Sequence, residues 1–250
     1  MNTKWITSKL GCQYLIDADD KYMERCLMGS GYQIRNWEFA KTLCNPNGIA
    51  LDIGASIGMN AVNYSTYFDT VEAFEPDPDV YNCMLETLTA NNIDNVFTHP
   101  IAASNRSEIN ILVKFPRATF ANTLKPAAYV GRTRPQLSIQ CEPIDDYEFE
   151  NVSFIKIDVE GWEMSVVEGC ENTILRCDPV VQIEIKPQML KRNNTNPMAI
   201  WQWFSQRGYQ ARHFAGDVTQ PTLEGDKIKF ANIKENLVDF WFVKEAAECS

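Results

Sequence analysis

The sequence predicts an α/β fold in which a mostly parallel sheet carries helices on both faces. Three observations predict it. Five short apolar runs alternate with helix-compatible stretches. These runs lack the in-and-out polar alternation of a half-exposed sheet, as strands covered on both sides do. A glycine-containing loop follows the first run and opens a helix, as strand–turn–helix units require.

Residues 1–36 are weakly patterned and are expected to form a helical or irregular extension ahead of a single domain spanning residues 37–250. Trp37–Cys44 reads as a helix ended by Asn45-Pro46-Asn47-Gly48. The predicted strands are Ile49–Ile53, Val71–Glu75, Val96–Ile101, Phe154–Asp158 and Val180–Ile185. The predicted helices are Met59–Phe68, Val80–Asn91, Glu163–Leu175 and Pro197–Gln206. Tyr209–Phe214 and Leu237–Val243 follow without a long helix between them, so they are expected to pair antiparallel. Ile109–Val113 and Leu137–Glu142 form an expected two-strand insertion around the long loop Lys114–Gln136. Long loops in compact domains tend to be functional, and this one is expected to govern acceptor choice.

Composition excludes several classes. The 250 residues are 45% apolar and 22% charged, an ordinary globular mixture. No apolar run is long enough to span a bilayer, and the first twenty residues lack a basic end followed by an apolar stretch. The cytoplasm is therefore the default compartment. The eight cysteines contain no C-x-x-C pair, so free thiols are expected. A net charge of −10 opposes non-specific nucleic-acid binding. Lys114-Phe115-Pro116-Arg117, Arg132 and Arg134 are the best candidates for a local basic patch.

Three phrases carry chemistry. In Leu51-Asp52-Ile53-Gly54-Ala55-Ser56-Ile57-Gly58, Ser56 stands where a dinucleotide site needs its middle glycine. Asp52 just before the turn suits a positively charged ligand better than a diphosphate. Glu75, before Pro76, ends the next strand and can accept both hydroxyls of a ribose. In Phe154-Ile155-Lys156-Ile157-Asp158-Val159-Glu160, alternation puts Lys156 and Asp158 on one side. A lysine within an apolar strand needs a carboxylate partner, so a structural Lys156–Asp158 pair is expected. Of the two histidines, His99 is expected to be structural, and His213 lies late in its strand.

LDIGASIGMNAV, VEAFEPDP and FIKIDVEGWEMSVVEG, in this order, resemble the FkbM family of methyltransferases. The closing LVDFWFV also resembles that family's last strand, so the likeness runs from about Trp37 to Val243. The resemblance implies a class I methyltransferase, a Rossmann-like fold using S-adenosyl-L-methionine, commonly to methylate a hydroxyl oxygen. Its sheet has seven strands in the order 3-2-1-4-5-7-6 with an antiparallel last strand. It places Asp52, Gly54, Ser56 and Gly58 at the cofactor's methionine end. Glu75 and Pro76 fall at the ribose, Ile101 and Ala102 near the adenine, and Asp158 and Glu160 at the reaction centre. Ser56 stands for the family's usual asparagine, and Lys186 stands where many members carry histidine. Glu184 is a further carboxylate for handling the acceptor's proton, and Lys186 could steady a developing alkoxide. Asp158 and Glu184, ending neighbouring strands, could hold a divalent ion, although nothing in the sequence requires a metal. The expected partner is a small-molecule or glycan hydroxyl acceptor, with no nucleic acid and no membrane. The alternatives are an RNA ribose 2′-O-methyltransferase, a non-catalytic binding module and, least favoured, an NAD-dependent dehydrogenase.

Overall fold

The computed structural model describes residues 1–29, 32–115, 118, 121–124, 134–214, 221–222 and 238–244. The chain begins with a hairpin, β1 (Thr3–Thr7) and β2 (Gln13–Asp17), followed by α1 (Lys21–Met28) and α2 (Tyr32–Lys41). The alternating core follows as β3 (Ile49–Ile53), α3 (Met59–Tyr64), β4 (Thr70–Phe74), α4 (Pro78–Ala90) and β5 (Val96–His99). An inserted segment contributes β6 (Ala102–Ala103), β7 (Glu108–Val113), β8 (Thr123–Leu124) and β9 (Gln136–Glu142). The core then resumes as β10 (Val152–Ile157), α5 (Glu163–Gly169), α6 (Glu171–Cys177), β11 (Val180–Ile185), α7 (Pro187–Arg192) and α8 (Pro197–Ser205). It closes with β12 (Tyr209–Phe214), β13 (Pro221–Thr222) and β14 (Val238–Lys244).

The main sheet runs β5-β4-β3-β10-β11-β14-β12-β13. The pairs from β5 to β11 are parallel, and β14 is antiparallel to both its neighbours. Alternation along each strand feeds two cores. Leu51, Ile53, Ile155, Ile157, Ile183 and Ile185 pack under α5, α6 and α8. Ala50, Val71, Ala73 and Phe154 face the other way, toward α3, α4 and the N-terminal elements. Burying each large aliphatic side chain stabilises the fold by about 1.5–3 kcal/mol, so a sheet covered twice is strongly favoured by these apolar runs.

Four expectations need correction. The main sheet has eight strands, because β13 adds a short antiparallel edge to β12. The insertion is a separate four-stranded sheet, β6-β9-β7-β8, rather than two strands. The run Val96–Ile101 is broken at Pro100, and β6 leaves the main sheet to pair with β9. Residues 1–36 hold a regular hairpin, and Tyr14 and Ile16 are buried in the same core as Ala50 and Val71. Two side chains of α4 tie the hairpin down: the Leu15 amide donates to Thr87 Oγ1, and the Gln13 amide to Asn91, at the C-cap. The expected boundary at residue 37 falls inside α2.

Among the described residues, seven cysteines are free thiols, and no helix is long and apolar enough to cross a membrane. His99 is structural: its Nε2 lies 2.6 Å from Glu72 Oε2 and its ring stacks on Phe74. His213 lies on β12.

Candidate functional site

Strands β3, β4, β10 and β11 all end at one edge, and the side chains there line a two-lobed cleft. One lobe, about 580 Å³, is bounded by Gly54, Ser56, Glu75, Pro76, Ile101, Ala102, Asn122, Leu124 and Trp162. The other, about 620 Å³, is bounded by Tyr22, Met23, Cys26, Met59, Asn60, Lys156, Glu184 and Lys186. Gly54, Ser56, Asp158 and Glu160 line both.

The loop after β3 has a geometry few sequences allow. Gly54 has φ +85°, and a Cβ there would lie 2.0 Å from the Asp158 carbonyl oxygen. Glycine is thus required by both conformation and space. Gly58 also has positive φ, and Ser56 adopts φ +53°. The Gly54 and Ala55 amides both donate to the Phe74 carbonyl, and the Asp158 amide to the Ile53 carbonyl, so three strand ends are locked together. Ser56 Oγ is buried without a hydrogen-bond partner.

Asp52 is fully buried, and neither carboxylate oxygen makes a hydrogen bond of full geometry. Burial pushes its carboxyl up to about 6, opposed by the neighbouring Lys156 charge. Glu75 is 8% exposed. Its Oε2 accepts from the Ser56 amide at 3.0 Å and its Oε1 from the Asp77 amide at 2.9 Å. Burial still raises it to about 7.

The shared part of the cleft holds an ion-pair cluster. Lys156 is 2% exposed and donates to Asp158 Oδ2 at 3.0 Å, the pairing its spacing predicts. In register on the adjacent strand lies Asp52. Lys186 donates to Glu160 and lies 2.5 Å from Glu184 Oε2. Burial alone would raise the Asp158 carboxyl. Lys156, Lys186 and a hydrogen bond with Glu184 outweigh it and hold Asp158 well below the usual range. Glu184 is held well above it, by burial and by Asp158 beside it. Burial also raises Glu160. The shifts of Asp158 and Glu184 thus run in opposite directions, with the negative charge favoured on Asp158. One oxygen from each of Asp158, Glu160 and Glu184 falls within a 4.8 Å group, with Lys186 supplying the compensating charge.

Every site residue named from the sequence thus lies at this edge, with Gly58 and Asp52 just behind the lining. Asn122 and Leu124, the latter in β8, fall within the Lys114–Gln136 loop singled out from the sequence, whereas Tyr22, Met23 and Cys26 of α1 were missed. Nothing local in their surroundings signals a site; only tertiary packing brings them there. Lys114, a candidate for a basic patch, is neutralised by Asp77 and Asp79 at 2.9 and 2.7 Å. Arg134 lies 4.1 Å over the Phe115 ring. Pro116, Arg117, Arg132 and much of the Lys114–Gln136 loop lie outside the described residues.

The same architecture occurs in known methyltransferases. An rRNA methylase from Streptococcus thermophilus superposes with TM-score 0.52 at 12% identity, over 88% of this chain and 99% of that one. A Streptococcus mutans structure, described as a methyltransferase in complex with SAH, gives 0.51 at 14% identity, over 87% and 100%. The FkbM methyltransferase of Methylobacillus flagellatus KT gives 0.50 at 17% identity, over 82% of this chain and 50% of that one. This chain therefore spans half the length of that protein. No curated protein matches the sequence. The fold is that of the methyltransferases. Residues 52–211 match the Methyltransferase FkbM domain, and the chain belongs to that family.

Proposed function

We propose that the protein transfers a methyl group from S-adenosyl-L-methionine to a hydroxyl oxygen of a sugar or other small molecule. One observation carries the reading. The cleft has a lobe with a ribose-type acid and a lobe with an acceptor-type carboxylate–lysine cluster, and both are lined by Asp158 and Glu160. Group transfer requires that two ligands meet at one point.

The residues fit the cofactor. Ser56, which lines both lobes, offers a buried hydroxyl without a hydrogen-bond partner. Gly54 leaves room where any side chain would collide with Asp158. Glu75 keeps lone pairs for ribose hydroxyls, since each oxygen accepts one amide. When bound, S-adenosyl-L-methionine supplies an electrophilic methyl on a sulfonium.

The chain's own groups do the rest. Asp158, held ionised, orients the acceptor hydroxyl and takes its proton. Glu184, hydrogen-bonded to Asp158, and Lys186 beside them hold that carboxylate in place. Alignment within about 3 Å of the methyl contributes more than proton transfer in such a displacement. The acceptor is a small molecule or glycan rather than nucleic acid: the net charge is −10 and Lys114 is already paired. Calorimetric titration with SAH and with NAD tests the cofactor; binding of NAD and not SAH refutes it. Mass spectrometry of products formed with isotope-labelled S-adenosylmethionine tests the chemistry, and label on nitrogen or carbon refutes O-methylation.

A further inference from the structure

The inserted sheet walls one lobe of the cleft and is fastened on two sides. On one side, Asn122 Nδ2 donates to Asp77 Oδ2 at 2.8 Å, and Lys114 Nζ to Asp77 Oδ1 at 2.9 Å. Asp77 is fully buried and its amide is the donor that holds Glu75 Oε1. On the other side, Thr123 Oγ1 donates to the Glu160 carbonyl at 2.7 Å. Between these fastenings Leu112, Asn122 and Leu124 form a wall of the Glu75 lobe. Leu112 and Leu124 are direct strand partners. Asn122 is further fixed because its Oδ1 accepts the Phe115 amide at 2.8 Å.

We propose that this strap retains the cofactor, with Asn122 and Lys114 as positioning residues that act through Asp77 on Glu75. The inference rests on the methyltransferase reading above. It assigns the insertion to the nucleoside lobe, whereas the sequence predicts a role in acceptor choice. Lys114 supplies the latch's cation, and its side chain is 22% exposed, against 0% for Asp77. A partly exposed ion pair is screened by salt, whereas the hydrogen bond of the neutral Asn122 amide is far less so. The latch therefore has a signature that a merely structural role lacks. Cofactor release should quicken with salt, and that dependence should vanish without Lys114.

The experiment measures SAH affinity and the SAH release rate by stopped flow, for the wild type, Asn122→Ala, Lys114→Met and Lys114→Arg, at low and high salt. Melting temperatures of the ligand-free proteins are recorded alongside. The expected result is release faster by about tenfold or more in Asn122→Ala and Lys114→Met, as for loss of one charge-assisted bond. Melting should change little, Lys114→Arg should restore slow release, and Lys114→Met should lose the salt dependence of the wild type. Wild-type release rates in both variants would overturn the strap while leaving the cofactor reading intact. So would a wild type whose release ignores salt, with variants quickened only as far as their melting falls. A wild type that fails to bind SAH would refute the cofactor reading, and the strap with it.

Discussion

Glu75→Gln separates the ribose assignment from a structural role, because the substitution keeps the side chain's outline and removes its charge. The folded protein raises this carboxyl from its ordinary value, 4.5, to about 7. A shift of that size is about 3 kcal/mol of penalty on the ionised form. Between those pH values the folded state holds a proton that the unfolded state has lost, so this group's contribution to stability declines as pH rises through the window. Glutamine removes that penalty. It also turns its amide NH2 toward either the Ser56 or the Asp77 N–H, and so gives up one hydrogen bond worth about 1–3 kcal/mol. The two effects oppose each other, and above neutral pH the melting temperature should move by only a few degrees. Binding has no such offset. Loss of a charged acceptor for ribose hydroxyls costs about 1.5–3 kcal/mol, or about 10–150-fold in affinity. The ionised carboxylate is the better acceptor, so wild-type SAH affinity should climb as pH rises toward about 7 and level off above it. The limit is about tenfold per pH unit. Glu75→Gln should be weak and flat across the same range. Calorimetry from mildly acidic to mildly alkaline pH reads both features. Wild-type affinity that ignores pH, or a folded Glu75→Gln protein that binds as tightly as the wild type, would refute the assignment.

Three further outcomes are expected. Gly54→Ala should abolish detectable SAH binding and lower the melting temperature, since its Cβ would lie 2.0 Å from backbone at a φ of +85°; calorimetry and melting on the same sample check it. Asp158→Asn should slow turnover by about 10²–10⁴-fold. It should also lower melting by less than the about 3–5 kcal/mol of a stranded buried charge, because Asp52 remains beside Lys156; normal turnover with a large melting loss would make Asp158 purely structural. Ile16→Ala should cost about 2–5 kcal/mol in chemical denaturation, and a negligible change would show that the hairpin is not part of the domain's core.

The sequence alone determined the alternating core and most of the candidate site. Apolar runs such as Ile49–Ile53 and Val180–Ile185 can be satisfied only by cover on both faces. The glycines, Glu75 and Asp158 sit at strand ends, where the rule that ligands gather at the carboxyl edge applies directly. The Lys156–Asp158 pair was also legible, because period-two spacing and the cost of burying a lone charge leave little choice. Three matters were decided only by tertiary structure. The hairpin at Thr3–Asp17 lacks strong patterning because much of what fixes it is α4 underneath, reached across some seventy residues of chain through Leu15 and Thr87. The insertion became a separate sheet because Pro100 interrupts the strand and Ala102–Ala103 found a partner in β9. Tyr22 and Cys26 joined the cleft because distant segments converge on it. Periodicity reports which face of an element is buried. It carries no information about which other element does the burying, and that is where the walls of this site were settled.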